Sequence, residues 1–375
     1  MNFRFHMPTK VVVGDGCIKA NTPLLFGVGK KAMLVTGRTS AKKNGAQQDM
    51  VEALDTVGVE YYVFDEVEQN PSIATVRRAA KIANEMGIEF IVGIGGGSPL
   101  DAAKAIALLA TNELDDTELF SGKYVNKPLP VIAVPTTAGT GSEVTQYAVL
   151  TDDNIKSKSS ISCEHSFPVI AFLDARYMKG LSFRDTVNTA IDALSHCMEG
   201  YLCKRASVMS DALALEGMSI IGSWLLNGAQ QVSGEGSNIP LSDRQALLYA
   251  SMLGGMVIAN TGTTALHSMG YQLTYNKGIE HGRANGLLMY QYLKLIAANN
   301  HEKVNNVLRA IGLDSLEQLK ELLKKVISFD EDMTAEEFKI YSSIAVKAKN
   351  MTNTLTAFDI EDINNIFRNS KWSSL

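Results

Sequence analysis

The chain has 375 residues, 46% of them hydrophobic and 20% charged, which is enough for two domains and a sizeable packed core. The formal net charge is −5, without long runs of one sign, and this argues against a nucleic-acid or anionic-membrane partner. The four cysteines (Cys17, Cys163, Cys197 and Cys203) form no CxxC pair, the opening "MNFRFHMPTK" lacks an apolar signal core, and no apolar run approaches the roughly 20 residues of a membrane span, so a soluble, reduced, cytoplasmic protein is expected.

In the first half, short apolar segments at 31–37, 61–67, 90–96, 129–137 and 169–174 predict strands. Helical patterns at 42–57, 72–86 and 99–111 lie between them. Strands alternating with helices imply a mostly parallel sheet covered on both faces, with ligands bound beyond the carboxyl ends of the strands. From about Thr186 the pattern becomes helical throughout: 186–204, 209–226, 242–259, 262–273, 284–299, 302–311, 315–327, 335–350 and 358–368. The boundary is placed near Gly180, giving an α/β domain over 1–180 and an all-helical domain over 181–375. Residues 227–240 form the best surface-loop candidate in the helical half, and the lysine-rich 319–326 reads as a solvated helix face.

"FIVGIGGGSPLDAAKAIALLA" is a strand, a glycine turn and a helix. Ser98 with Asp101 matches a capping box, and Pro99 suits the first helical position. Those residues make a well-formed helix start on their own. The three glycines Gly95, Gly96 and Gly97 go further than a turn requires, and point to backbone N–H groups that hold a pyrophosphate. The motif is neither a Walker A loop nor a Rossmann GxGxxG, because Ser98 takes the place of the third glycine. The next strand ends in "PTTAGTGSEVT", which offers Thr136, Thr137, Thr140 and Ser142. Two such loops after adjacent strands would face the same crevice.

An earlier strand closes at Gly37, where NAD-preferring enzymes often carry an acid for the ribose 2′-hydroxyl. Here Gly37 leaves room, while Arg38, Thr39, Ser40, Lys42 and Lys43 supply donors and positive charge. NADP(H) is therefore expected over NAD(H), although an exposed basic loop would have the same composition.

Two of the six histidines bracket "HSMGYQLTYNKGIEH". In "TVNTAIDALSHCMEGYL", Asp192 and His196 are spaced i, i+4 and share a helix face, to which Glu199 returns. His267 falls on a second helix, and His281 precedes a third. One carboxylate and three imidazoles make an N₃O set suited to Fe(II) or Zn(II). Spacing alone does not bring the three segments together.

The motifs "GGGSPLDAAK", "PTTAGTGSE", "DALSHCMEGYL" and "HSMGYQLTYNKGIEHGRANGLL", in this order over nearly the whole chain, resemble the iron-containing (group III) alcohol dehydrogenase family, in particular its NADP-dependent butanol and 1,3-propanediol types. The resemblance implies an α/β N-terminal dinucleotide-binding domain plus an all-α C-terminal domain, a dehydroquinate synthase-like fold, with the active site in the cleft between. By the same resemblance the metal ligands are Asp192, His196, His267 and His281, with iron as the usual metal. The cofactor residues are Gly95 to Ser98 with Asp101, Thr136 to Ser142, Lys158, and Asn70 in "QNPS". A homodimer is the smallest expected assembly.

One position departs from the family pattern. Where many members carry a second histidine near substrate, this chain has Tyr271, which lines the substrate pocket or merely packs. Glu199 is a candidate to accept an N–H from a ligand histidine; a packing or surface carboxylate is the plainer alternative. The reaction implied is hydride exchange between a nicotinamide and a small aliphatic alcohol, diol or aldehyde, with aldehyde reduction as the working direction. A hydroxyacid–oxoacid transhydrogenase, an NAD- and zinc-dependent sugar-phosphate cyclising lyase and a non-enzymatic metal or nucleotide binder stay open. The lyase needs basic residues for a substrate phosphate, and only Lys277 and Arg283 stand near the histidines in sequence.

Overall fold

The computed structural model describes residues 2–228, 239–328 and 333–370. Most of the 227–240 loop candidate lies outside the described residues. The chain divides into two compact units. One spans Met7–Leu181; the other spans Ser182–Leu375 together with the leading residues through His6.

The first unit is built on a six-stranded sheet whose strands, from one edge to the other, start at Lys10, Ile170, Val131, Phe90, Lys31 and Glu60. Its strands are β1 (Lys10–Val13), β2 (Lys31–Thr36), β3 (Glu60–Phe64), β4 (Phe90–Gly95), β5 (Val131–Pro135) and β8 (Ile170–Leu173). Every pairing is parallel, as the strand–helix alternation predicts. Period-two alternation sorts the side chains. In β2, Met33 and Val35 enter one apolar cluster, and Ala32 and Leu34 enter the other. The inner strands β2, β4, β5 and β8 are buried on both faces, so they read as continuous apolar runs.

The helices of this unit are α1 (Cys17–Ala20), α2 (Ser40–Lys43), α3 (Ala46–Val57), α4 (Ile73–Glu85) and α5 (Gly97–Leu109). The pattern at 42–57 is split in two, because Gly45 adopts a left-handed φ of 88° and ends the first turn. A separate antiparallel hairpin of β6 (Tyr147–Asp152) and β7 (Ser157–Ser162) follows β5.

The second unit is helical: α6 (Phe183–Tyr201), α7 (Val208–Ser223), α8 (Leu241–Thr261), α9 (Ala265–Lys277), α10 (His281–Ile311), α11 (Leu316–Val326), α12 (Ala335–Ala345) and α13 (Ile360–Asn369). The two helices expected at 284–299 and 302–311 run on as α10, with Asn300 at a non-helical φ of −137° marking the kink between them. The leading segment joins this unit through His6, whose backbone N–H donates to Asn260 Oδ1 at 2.7 Å. No helix among the described residues is long and apolar enough to cross a membrane.

Candidate functional site

Three helices of the second unit carry the candidate metal donors. Helix α6 starts at Ser182, whose side chain accepts from Asp185 N, and its buried face holds Asp192, His196 and Glu199. Helix α9 carries His267 in its first turn, and α10 opens on His281.

The separate segments converge. Asp192, His267 and His281 each bring a ligand atom to a cluster whose members all lie within 4.8 Å of one another. Asp192 Oδ1 is 3.9 Å from His267 Nε2 and 3.9 Å from His281 Nε2. His196 adjoins the trio through His267: their Nε2 atoms are 2.9 Å apart, and the rings stack with centroids at 4.7 Å. Donors about 2.1 Å from one ion stand roughly 3 to 3.4 Å apart, so Asp192, His267 and His281 have the donor chemistry for a divalent cation and need draw in by only about half an ångström to share one, with His196 beside them.

These donors are held from behind. Glu199, wholly buried, meets His267 Nδ1 with Oε2, leaving Nε2 turned to the cluster. Its Oε1 accepts from Thr264 N at 2.8 Å, Thr264 Oγ1 at 2.6 Å and His267 N at 3.3 Å. Thr264 Oγ1 also meets Tyr292 OH at 2.9 Å. Burial pushes the Glu199 carboxyl up, but His267 and the Thr264 donors outweigh it and hold the group below its ordinary range. One carboxylate thus orients a ligand imidazole and satisfies N–H groups at the start of α9. Asn285 Nδ2 donates to Ser195 Oγ at 3.2 Å and lies 3.4 Å from Asp192 Oδ1. His281 Nδ1 lies 3.3 Å from Thr274 Oγ1. Tyr271 stacks on the His281 ring, centroids 5.0 Å apart and planes 18° apart, and stands edge-on to His267. Of these partners, Thr264, Thr274, Asn285 and Tyr292 escape sequence reasoning, because single hydroxyls and amides leave no spacing pattern.

Lys277 and Arg283 are engaged within the same unit. Lys277 pairs with Glu337, while Arg283 Nε donates to Ser328 O at 3.1 Å and Nη1 lies 3.7 Å from Glu280 Oε2.

In the first unit, the glycine and threonine loops interlock. Gly95 ends β4, and its carbonyl accepts from Thr136 N at 2.9 Å. A Cβ on Gly96 would meet Thr137 Oγ1 at 3.1 Å, and one on Gly97 would meet Thr140 Cγ2 at 2.6 Å. Glycine is needed here for that close approach of two loops. The expected capping box is not formed. Helix α5 begins at Gly97 with Gly96 as its N-cap and no side-chain cap, because Ser98 and Asp101 are drawn elsewhere. Ser98 Oγ accepts from Asn70 N at 3.1 Å. Asp101 Oδ1 accepts from Ser142 Oγ at 2.5 Å, and Oδ2 accepts from Val149 N at 3.0 Å.

Asn70 sits at φ 58° and ties the predicted positions together. Its carbonyl accepts from Thr151 Oγ1 at 2.9 Å, and its Oδ1 accepts from Lys158 Nζ at 2.8 Å. Beneath the loops, the buried Lys104 ammonium donates to Ser142 Oγ at 2.6 Å and Ser142 O at 3.0 Å, and lies 3.3 Å from Asp101 Oδ1. Burial lowers the Lys104 pKa and raises that of the neighbouring, wholly buried Glu143 to about 7.

Gly37 follows β2. A Cβ there would make only ordinary contacts, 3.5 Å from Val67 O and 4.0 Å from Ser40 Oγ, so packing does not demand glycine. Lys42 of the basic loop is paired with Asp65 at 2.6 Å.

Comparison with known proteins places the chain in one family over nearly its whole length. Residues 8–175 match the model described as iron-containing alcohol dehydrogenase, and residues 186–371 match the C-terminal model of the Fe-containing alcohol dehydrogenase family. The 1,3-propanediol dehydrogenase of Klebsiella pneumoniae is 35% identical over 314 residues, 83% of this chain and 78% of that protein. The NAD-dependent methanol dehydrogenase of Bacillus methanolicus is 31% identical over 286 residues, 76% of this chain and 74% of that protein. Among solved structures, an iron-containing alcohol dehydrogenase from Thermotoga maritima superimposes with a TM-score of 0.90 at 38% identity, covering 99% of each chain.

Proposed function

Because the chain belongs to the iron-containing alcohol dehydrogenase family, we propose that it interconverts small aliphatic alcohols or diols and their aldehydes by hydride exchange with a nicotinamide cofactor. The observation that carries this reading is the convergence of Asp192, His196, His267 and His281 from three helices. These four residues would hold the metal, Fe(II) first and Zn(II) second. When bound, the cation supplies Lewis-acid polarisation of the alcohol or aldehyde oxygen, and the nicotinamide supplies or accepts the hydride.

The protein's own residues bind and orient. The uncapped start of α5 at Gly97 offers backbone N–H groups to a pyrophosphate. Gly95, Gly96 and Ser98, with Thr136, Thr137 and Thr140, shape the cofactor loops. Asp101 and Ser142 brace them, and Asn70 with Lys158 flanks them. Tyr271, stacked on His281, walls the substrate pocket. NADP(H) is preferred over NAD(H): Gly37 and Ser40 leave room for a 2′-phosphate, and no packing contact accounts for the missing side chain. The NAD-dependent methanol dehydrogenase among the relatives weighs the other way, so this preference rests on Gly37 and the donors and positive charge of Arg38 to Lys43. Reduction of aldehydes in the cytoplasm, by a homodimer or larger homo-oligomer, is the working form we infer; the buried, unpaired thiols fit a reducing compartment.

Metal analysis of protein purified without oxygen, with NADPH and NADH oxidation over a panel of short-chain aldehydes, tests this reading. Faster oxidation of NADPH is expected. Equal rates with both cofactors would defeat the Gly37 argument, and no oxidation with any aldehyde would defeat the activity itself.

A further inference from the structure

The start of α9 is satisfied from outside its own sequence. Its N-cap, Thr264, makes no side-chain cap, because its hydroxyl is spent on Glu199 and Tyr292. The N–H of Ala265 is instead taken by Thr354 Oγ1 at 3.1 Å, from 89 residues away. The preceding turn is gripped by the same distant segment. Asn353 Nδ2 donates to Thr261 O at 2.8 Å and to Thr263 O at 3.1 Å. Asn350 Nδ2 donates to Thr263 Oγ1 at 3.1 Å, and Asn350 Oδ1 accepts from Ser268 Oγ.

That segment, the 3₁₀ turn Lys349–Asn353 and the following Thr354, is also fastened just beyond the end of α6. Lys204 N donates to Asn353 O at 2.9 Å, Lys204 Nζ donates to Thr352 O at 2.8 Å, and Cys203 forms an antiparallel bridge with Thr354. Thr354 is fully buried. The turn therefore joins the end of the helix that carries Asp192 and His196 to the start of the helix that carries His267. Its bonds run largely to backbone groups, which fix where a helix begins. A ligand set tolerates only about 0.5 Å of drift in its supports.

We propose that Asn353 and Thr354 are positioning residues of the metal centre, which set the place of His267 relative to Asp192 and His196. The proposal rests on the reading of those residues as metal ligands. It predicts that loosening the turn weakens metal binding more than it weakens the fold.

The test is Zn(II) affinity of the metal-free full chain, measured by chelator competition, beside the thermal midpoints of metal-free and Zn(II)-loaded protein. Thr354→Val and Asn353→Ala should each weaken Zn(II) binding about tenfold. Thr354→Ser should restore it. Ser315→Ala removes an ordinary helix cap at α11, and should lower the metal-free midpoint with affinity unchanged. If Thr354→Val does not yield folded protein, Asn353→Ala decides. Zn(II) affinity equal to that of the unsubstituted chain in Asn353→Ala and Thr354→Val, or an equal loss in Ser315→Ala, would overturn the proposal. His267→Ala separates the two readings. If it binds Zn(II) as tightly as the unsubstituted chain, the metal-centre reading fails, and the positioning role of Asn353 and Thr354 fails with it.

Discussion

Glu199 does two jobs with one carboxylate: Oε2 holds the His267 ring, and Oε1 holds the backbone at the start of α9. Glu199→Gln keeps the shape but removes the charge that faces a ligand imidazole. Retained metal after dialysis should fall by about 10- to 100-fold in affinity, and unchanged metal content would show that the carboxylate only packs. Tyr271 poses a separate question at the same scale. Its ring stacks on His281, and its hydroxyl is the group absent from a phenylalanine. Tyr271→Phe should keep the metal and raise the KM for aldehyde several-fold, as expected for one lost hydrogen bond worth about 1 kcal/mol. An unchanged KM would reduce the residue to a prop for His281.

At the scale of elements, the glycine turn and the threonine loop form one interlocked body. Gly97→Ala places a methyl 2.6 Å from Thr140 Cγ2, so one loop must shift. The dissociation constant for the nicotinamide nucleotide should rise about tenfold, with metal content unchanged. Thr140→Ser, which removes that methyl, should recover part of the loss in the double variant. Strict additivity of the two changes would contradict the steric account. The central strands β2, β4, β5 and β8 were legible as apolar runs because both sheet faces are covered. Strand β1, "KVVV", is apolar but too short to stand out and lies at the sheet edge, whereas β7 is the serine-rich "SKSSIS" and carries no apolar signature. Asn300 was legible as an interruption but not as a kink within a continuous helix. In the candidate site, the donors were legible through the family motifs, whereas their convergence needed the fold. Asn353 and Thr354 were illegible because their bonds end largely on backbone atoms.

Across the whole molecule, the candidate nucleotide-binding residues belong to one unit and the candidate metal donors to the other. Buried Glu143 titrates near 7 rather than at its ordinary 4.5, because burial disfavours its charge. Below 4.5 it is protonated whether folded or not. As pH rises towards 7 the unfolded chain ionises first, so folding stability is lost across that window and levels off above it. The loss is about 3 kcal/mol for a shift of this size. Glu143→Gln should therefore gain stability over the unsubstituted chain from pH 4.5 to 7 in isothermal denaturation, and a pH-independent difference would show that Glu143 stays ionised.

If Asp192, His196, His267 and His281 form a metal centre, alcohol–aldehyde interconversion must depend on the ion they hold. Aldehyde-dependent NADPH oxidation, followed in anaerobically purified protein before and after chelation and again after Fe(II) is restored, tests it most directly. About one divalent cation per chain is expected, with loss of oxidation on chelation, recovery with Fe(II), and no recovery in His267→Ala. Full activity in metal-free protein, or in His267→Ala, would contradict it.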